Sequence, residues 1–113
     1  MAAESREITD GTLVVRISEN GDVRRVSLCG ELDLANAGTA ESALQDCFAE
    51  NGAVVVDMHE LEFIDSTGIA LLVSALGRND QGATVRFVPS QAPAVVRVLE
   101  VTGLAERLPL AEA

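Results

Sequence analysis

The sequence predicts a small α/β domain, a mixed four- to five-stranded sheet that begins with an N-terminal antiparallel hairpin and carries packed helices. Three observations point there. Residues 12–17 and 23–28 are β-rich runs on either side of Glu19-Asn20-Gly21-Asp22, whose Asn-Gly pair suits the positive backbone dihedrals of a tight hairpin. Ala53-Val54-Val55-Val56-Asp57-Met58 is a β-branched run without alternation, as a central strand covered on both faces reads. Helix-like and strand-like segments then alternate, which calls for parallel pairing through crossovers.

Element by element, residues 1–11 read as an N-terminal tail, 12–110 as the domain and 111–113 as a C-terminal tail. A first helix fits residues 36–50, because Ala40, Ala43, Leu44, Cys47 and Phe48 recur at three- and four-residue spacing and Asn51-Gly52 ends it. A second helix fits 67–78. A strand at 83–88 follows Asn79-Asp80-Gln81-Gly82, and Ser90 and Pro93 open a third helix with Val95, Val98 and Leu99 on one side, closed by Thr102-Gly103. The rest is a turn and an edge segment, Leu108-Pro109-Leu110.

Composition bounds the function. A chain of 113 residues, 48% hydrophobic and 23% charged, has the size and make-up of one globular domain. It has no apolar run near the ~20 residues of a membrane span, and its start lacks the basic and apolar parts of a signal peptide, so a cytoplasmic location with no membrane contact is expected. Eighteen acidic against eight basic residues, a formal net charge of -10, argue against direct nucleic-acid binding and for a protein partner. The basic residues are all Arg but scattered, which reads as compositional bias and not an anion site. Cys29 and Cys47 fit no metal-ligand spacing and occupy apolar positions, His59 stands alone in a loop, and neither a metal nor a cofactor is expected.

The chemistry concentrates in Phe63-Ile64-Asp65-Ser66-Thr67-Gly68-Ile69. Asp, Ser and Thr are common helix caps, so capping alone would explain them. Yet Gly68 in a first helical turn costs up to ~1 kcal/mol relative to Ala, which indicates a close backbone approach or a need for an unobstructed surface. The helix beyond is apolar nearly all round. With Ile69, Leu72, Val73 and Leu76 as the core stripe, Ala70, Leu71, Ser74, Ala75 and Arg78 fall on the other side, which is either covered by the domain itself or waiting for a partner, the partner reading being favoured. Glu31-Leu32-Asp33 and Asp65-Ser66-Thr67-Gly68 are both strand-to-helix loops, which gather beyond the carboxyl ends of parallel strands and so share one surface.

Phosphorylation of Ser66 would add about -1.5 to -2 charges at pH 7 to this acidic surface. The helix dipole and its free amides would let the fold tolerate the group, while an acidic or apolar partner would be repelled. A serine hydrolase is the competing class, but His59 lies at the far end of the loop and no Gly-x-Ser-x-Gly elbow is present. Nor does the chain have a Gly-rich phosphate loop with a Lys, so a kinase must come from outside.

These residues resemble the STAS domains and, within them, the anti-sigma-factor antagonists of bacterial partner-switching systems. Gly30-Glu31-Leu32-Asp33 looks like the family's Gly-Glu-Leu/Ile-Asp signature, the strand at 54–58 leads into the Asp-Ser-Thr-Gly turn, and Val101-Thr102-Gly103-Leu104 is similar to a later hydrophobic-x-Gly-Leu element. The resemblance implies a STAS-type fold and a non-enzymatic switch. In its unphosphorylated form the antagonist binds an anti-sigma serine kinase and frees the sigma factor; phosphorylation at Ser66 releases the kinase, and a phosphatase restores the antagonist. Glu31, Asp33, Asp65, Thr67 and Gly68 would belong to the partner surface, with Ala70, Leu71 and Ser74 from the outward helix face. Many members add a final C-terminal helix, and this sequence stops about where that helix would begin. The alternative within the family is a scaffold not regulated by phosphorylation.

Overall fold

Three strands form an antiparallel meander at the start of the chain. In the computed structural model, which describes residues 5–49 and 52–111, these are β1 (Ser5–Asp10), β2 (Leu13–Asn20) and β3 (Val23–Leu32). The expected hairpin joins β2 and β3: Asn20 pairs with Val23 and Gly21 has φ 65°. β1 is a correction, since residues 5–10 were expected within a tail. Every residue of Ser5–Asp10 has a partner on β2, from Ser5 opposite Ser18 to Asp10 opposite Leu13.

Helix α1 (Ala37–Phe48) follows, and it buries the expected Ala40, Ala43, Leu44, Cys47 and Phe48. The expected stop at Asn51 lies outside the described residues. Then come β4 (Ala53–Asp57), β5 (Leu61–Ile64), α2 (Ser66–Gly77), a 3-10 turn (Arg78–Gln81), β6 (Thr84–Val88) and α3 (Pro93–Val101). The strands make one mixed sheet in the order β1-β2-β3-β4-β6. The short, unexpected β5 pairs with the end of β3 beyond the reach of β4. Leu108-Pro109-Leu110 behaves as the expected edge segment, with Leu110 in a parallel bridge to Phe87.

Pairing register sorts the side chains. Leu13, Val15, Ile17, Val26, Leu28, Val54, Val56, Val85 and Phe87 share one face, all buried, and join the single core with residues of the three helices. α1 lies on this face, held there by Arg24 Nη1 donating to the Cys47 carbonyl at 3.2 Å and Thr39 Oγ1 donating to Asp10 at 2.6 Å. Among the described residues β4 is covered by helices on this face only, which corrects the expectation of cover on both. Val55 is half-buried between its cross-strand neighbours Arg25 and Arg86, both exposed. On that face Arg16 bridges Glu7 and Glu60, each at 3.0 Å, and Arg25 pairs with Asp57 at 2.7 Å.

The phase of α2 also differs. Gly68, Leu71, Leu72 and Ala75 are its buried residues, Ile69 and Leu76 are partly buried, and Val73 is 42% exposed. Leu71 and Ala75 are therefore core and Val73 faces out. The helix is too uniformly apolar for periodicity to fix its rotation; contact at Gly68 fixes it. A Cβ there would stand 2.5 Å from Ile64 Cγ1 and 3.0 Å from Leu32 Cγ, so the helix backbone lies directly on β3 and β5.

Candidate functional site

The site is built where β3 and β5 end side by side. Glu31 pairs with Phe63 and Leu32 with Ile64, so the chain leaves two adjacent parallel strands into two loops, residues 33–36 and Asp65. β3 reaches this point through Gly30, whose φ of 96° and contact with the Thr12 carbonyl, where a Cβ would collide, leave no room for a side chain. Ser90, buried, fixes β5 from behind, with Oγ donating to the Leu61 carbonyl at 2.6 Å and accepting from the Ala92 amide at 3.0 Å.

Asp65 is the central side chain. As the N-cap of α2 it accepts at Oδ1 from the amides of Thr67 (2.9 Å) and Gly68 (3.1 Å), satisfying two of the helix's orphan donors. Its Oδ2 accepts from the Leu34 amide at 3.1 Å, and its own amide donates to the Leu32 carbonyl at 3.2 Å. One carboxylate thus ties both loops together. On the other side Asn36, only 3% exposed, accepts at Oδ1 from the Asp33 amide (3.0 Å) and donates from Nδ2 to the Glu31 carbonyl (2.9 Å). Asp33 Oδ1 accepts from the Ala35 amide at 3.0 Å.

Ser66 is the first residue of α2. It is exposed, and among the described residues its hydroxyl has no hydrogen-bond partner. Of the first-turn amides, those of Thr67 and Gly68 are taken by Asp65, so an anion at Ser66 would find fewer free donors than the sequence implied.

The structure gathers Glu31, Asp33, Asp65, Ser66 and Thr67 at one end of the sheet, with Glu31 exposed and Asp33, Asp65 and Thr67 half-buried. Ala70 and Ser74 continue the exposed line from Ser66 at helical spacing. Two expected surface residues are not on it: Gly68 is packed against Ile64 and Leu32, and Leu71, 6% exposed, points into the core. Three apolar residues of these segments that the sequence did not mark are exposed, Leu34 at 77%, Phe63 at 44% and Val73 at 42%. Leu34 follows a strand end, and Phe63 lies on a strand that was read as loop; only the position of Phe63 in the motif could have flagged it. The sequence pattern starts the first helix at Asn36, whereas its clamp depends on the bend at 33–36.

His59 is exposed in the turn before β5, so the whole of that strand separates it from Ser66. Among the described residues no three His, Cys, Asp or Glu side chains could together hold a metal ion, and no helix is long and apolar enough to cross a membrane. Both cysteines are free and buried, and desolvation by burial raises their pKa values, reinforced for Cys29 by the hydrogen bond to Glu60.

The domain is a single α/β unit with a mixed sheet, three helices and an exposed serine at the start of α2; residues 14–113 match the STAS domain model, and the chain belongs to that family. It is similar to the anti-sigma-F factor antagonist RsfB of Mycobacterium tuberculosis, 28% identical over 95 residues that make up 82% of this chain and 76% of RsfB. In structure it is similar to an anti-sigma factor antagonist from Mycobacterium paratuberculosis, with a TM-score of 0.79, 25% identity, and 94% and 92% of the two chains covered. The unphosphorylated form of the anti-sigma factor antagonist SpoIIAA shares the fold at a TM-score of 0.70 and 19% identity, over 87% of this chain and 88% of that one.

Proposed function

We propose that this protein is an anti-sigma-factor antagonist working as a phosphorylation switch. Unphosphorylated, it binds a cognate anti-sigma serine kinase in the cytoplasm and frees the sigma factor; phosphorylated at Ser66, it lets the kinase go until a phosphatase restores it. The observation that carries this reading is the exposed Ser66 hydroxyl at the start of α2, beside loops joined through Asp65. The similarity to proteins named as anti-sigma factor antagonists supports the same role. In this reading the domain supplies no catalysis.

The partner surface then consists of the acidic rim of Glu31, Asp33 and Asp65, the apolar Leu34 and Phe63, and the exposed line of Ser66, Ala70, Val73 and Ser74 on α2. A phosphoryl group adds about -1.5 to -2 charges at pH 7 to that rim. With Asp65 holding the Thr67 and Gly68 amides, this charge is poorly compensated within the domain and acts on the partner. Incubation with the candidate kinase and ATP, followed by mass spectrometry, tests the assignment: phosphate is expected on Ser66 and nowhere else. Phosphate absent, or on another residue, refutes it. Ser66→Asp is expected to weaken kinase binding at least about tenfold, roughly 1.4 kcal/mol, with an unchanged circular dichroism spectrum. Full binding by Ser66→Asp would remove the charge mechanism.

A further inference from the structure

The five-strand run of the sheet, β1-β2-β3-β4-β6, has two ends, and the chain treats them differently. Beyond β6 the C-terminal segment runs alongside, the Phe87 amide donating to the Pro109 carbonyl at 2.8 Å and the Ala111 amide to the Phe87 carbonyl at 2.9 Å. At the other edge β1 pairs with β2 and with no other described element. Its bare backbone groups can be identified. Gly11 and Thr12 form a two-residue turn, so Asp10 and Leu13 are a hydrogen-bonded pair. Alternation along the ladder then turns the amides and carbonyls of Asp10, Ile8 and Arg6 toward β2, and those of Ser5, Glu7 and Thr9 outward. Such an edge is a template for another strand.

The side chains of β1 select that strand. We infer that β1 pairs antiparallel with β1 of a second copy of this chain, in the register that sets Ile8 opposite Ile8, Arg6 opposite Asp10 and Glu7 opposite Thr9. The outward backbone groups of Glu7 and Thr9 then meet in two hydrogen-bonded pairs. Ile8 sits on the two-fold axis in a non-hydrogen-bonded pair, where side chains come closest. Arg6, Ile8 and Asp10 share the core-side face through their pairing with Ile17, Val15 and Leu13, and Ile8 is already half-buried against the core. In the pairing it gains cover from its counterpart, flanked on each side by an Arg6 guanidinium facing an Asp10 carboxylate.

Opposite charges directly across a strand pair stabilise it, and like charges destabilise it. A shift by two residues one way sets Glu7 against Glu7 and leaves Arg6 facing Ile8; the other way sets Ile8 against Asp10. An odd shift puts the two core-side faces on opposite sides of the joint. Arg6 and Asp10 both lie on the α1 side of β1, Arg6 in an exposed ion pair 3.7 Å from Asp46 and Asp10 accepting from Thr39, which is the face where the partner's charges arrive. Identical strands related by a two-fold axis close the assembly at two copies. β2 stands between this edge and β3, so the surface around Ser66 is not part of the joint.

Analytical ultracentrifugation of the full chain from micromolar to millimolar concentration is expected to show a reversible monomer–dimer equilibrium. Thr9→Pro removes an outward amide without touching the pairing to β2, and proline is tolerated on edge strands. It is expected to weaken the dimer at least tenfold with an unchanged circular dichroism spectrum. Register is read by cysteine pairing: Ile8→Cys is expected to oxidise to a disulfide-linked dimer and Glu7→Cys to remain monomeric, the native cysteines being buried. Arg6→Asp and Asp10→Arg should each self-associate more weakly than wild type and dimerise when mixed. A monomer at every concentration, a dimer indifferent to Thr9→Pro in a folded variant, or cross-linking at Glu7→Cys in place of Ile8→Cys overturns the inference.

Discussion

Replacing Asp65 separates its two duties, because its two carboxylate oxygens serve different partners. Asp65→Ala removes the cap on the Thr67 and Gly68 amides, worth about 1 kcal/mol, and the exposed bond from the Leu34 amide, worth about another 1 kcal/mol because its acceptor is a carboxylate. The expected loss is about 2 kcal/mol. Asp65→Asn keeps an acceptor for the cap, and Asn caps helices as well as Asp. Its amide nitrogen, however, then faces the Leu34 amide, donor against donor, and the tie between the loops is lost. The expected cost is about 1 kcal/mol, all of it from the loop. Urea unfolding followed by far-UV circular dichroism measures both, and equal slopes with denaturant confirm that folded and unfolded states keep their exposed areas. Hydrogen exchange at Leu34 should quicken in both variants. If Asp65→Asn is as stable as wild type, or as unstable as Asp65→Ala, the division of labour between the two oxygens is wrong.

Three further outcomes are expected. Leu71→Glu should prevent folding, because it places an unpaired carboxylate at a core position, whereas Val73→Glu, on the exposed side of the same helix, should stay within about 0.5 kcal/mol of wild type; reversed behaviour would restore the periodicity-based face. Gly68→Ala gains up to ~1 kcal/mol of helix propensity but meets the branched, buried Ile64 at 2.5 Å, where overpacking costs about 1–3 kcal/mol, so a net loss of about 1 kcal/mol is expected and a gain would show that α2 can lift away. Burial raises the Cys47 thiol above its unfolded value, so the native state holds the proton more tightly: the contribution is complete below the unfolded pKa of about 8.5 and is lost as pH rises through the higher folded value. Stability should therefore fall on going alkaline, with a shallower fall in Cys47→Ala, and denaturant titrations at several pH values would show a flat profile if the thiol is not desolvated.

Legibility in the sequence followed the physics of each segment. The hairpin at Asn20-Gly21, the run at Ala53 and the proline start of α3 at Pro93 advertise themselves through local chemistry, and the fold class followed from their order. β1 did not, because an edge strand with one neighbour carries polar residues on both faces, as Arg6, Glu7, Thr9 and Asp10 show. β5 was hidden by its four residues, of which Glu62 and Phe63 are exposed. The Asp-Ser-Thr-Gly turn was legible as a cap because capping is a short-range arrangement, and Asp65 fulfils it. Its bond to Leu34 spans 31 residues of sequence and belongs to the meeting of two strand ends. The phase of α2 failed for a related reason: with Ile69, Leu71, Leu72, Val73 and Leu76 around its circumference, only the contact of Gly68 with Ile64 and Leu32 distinguishes inside from outside.

Asn36 bears on how quickly and how tightly this surface can be read. Its buried amide holds the backbone of Glu31 and Asp33 at once, and the Asp33 carbonyl in turn accepts from the amides of Asn36 and Ala37 at 3.2 and 2.8 Å. Ordering a loop residue costs about 1–2 kcal/mol in backbone entropy, and here folding has already met that cost. In the proposed function, a partner that meets this rim would lose less of its contact energy to ordering residues 31–36. Asn36→Ala would defer that ordering to the moment of association, so the same contacts would yield a weaker and slower complex.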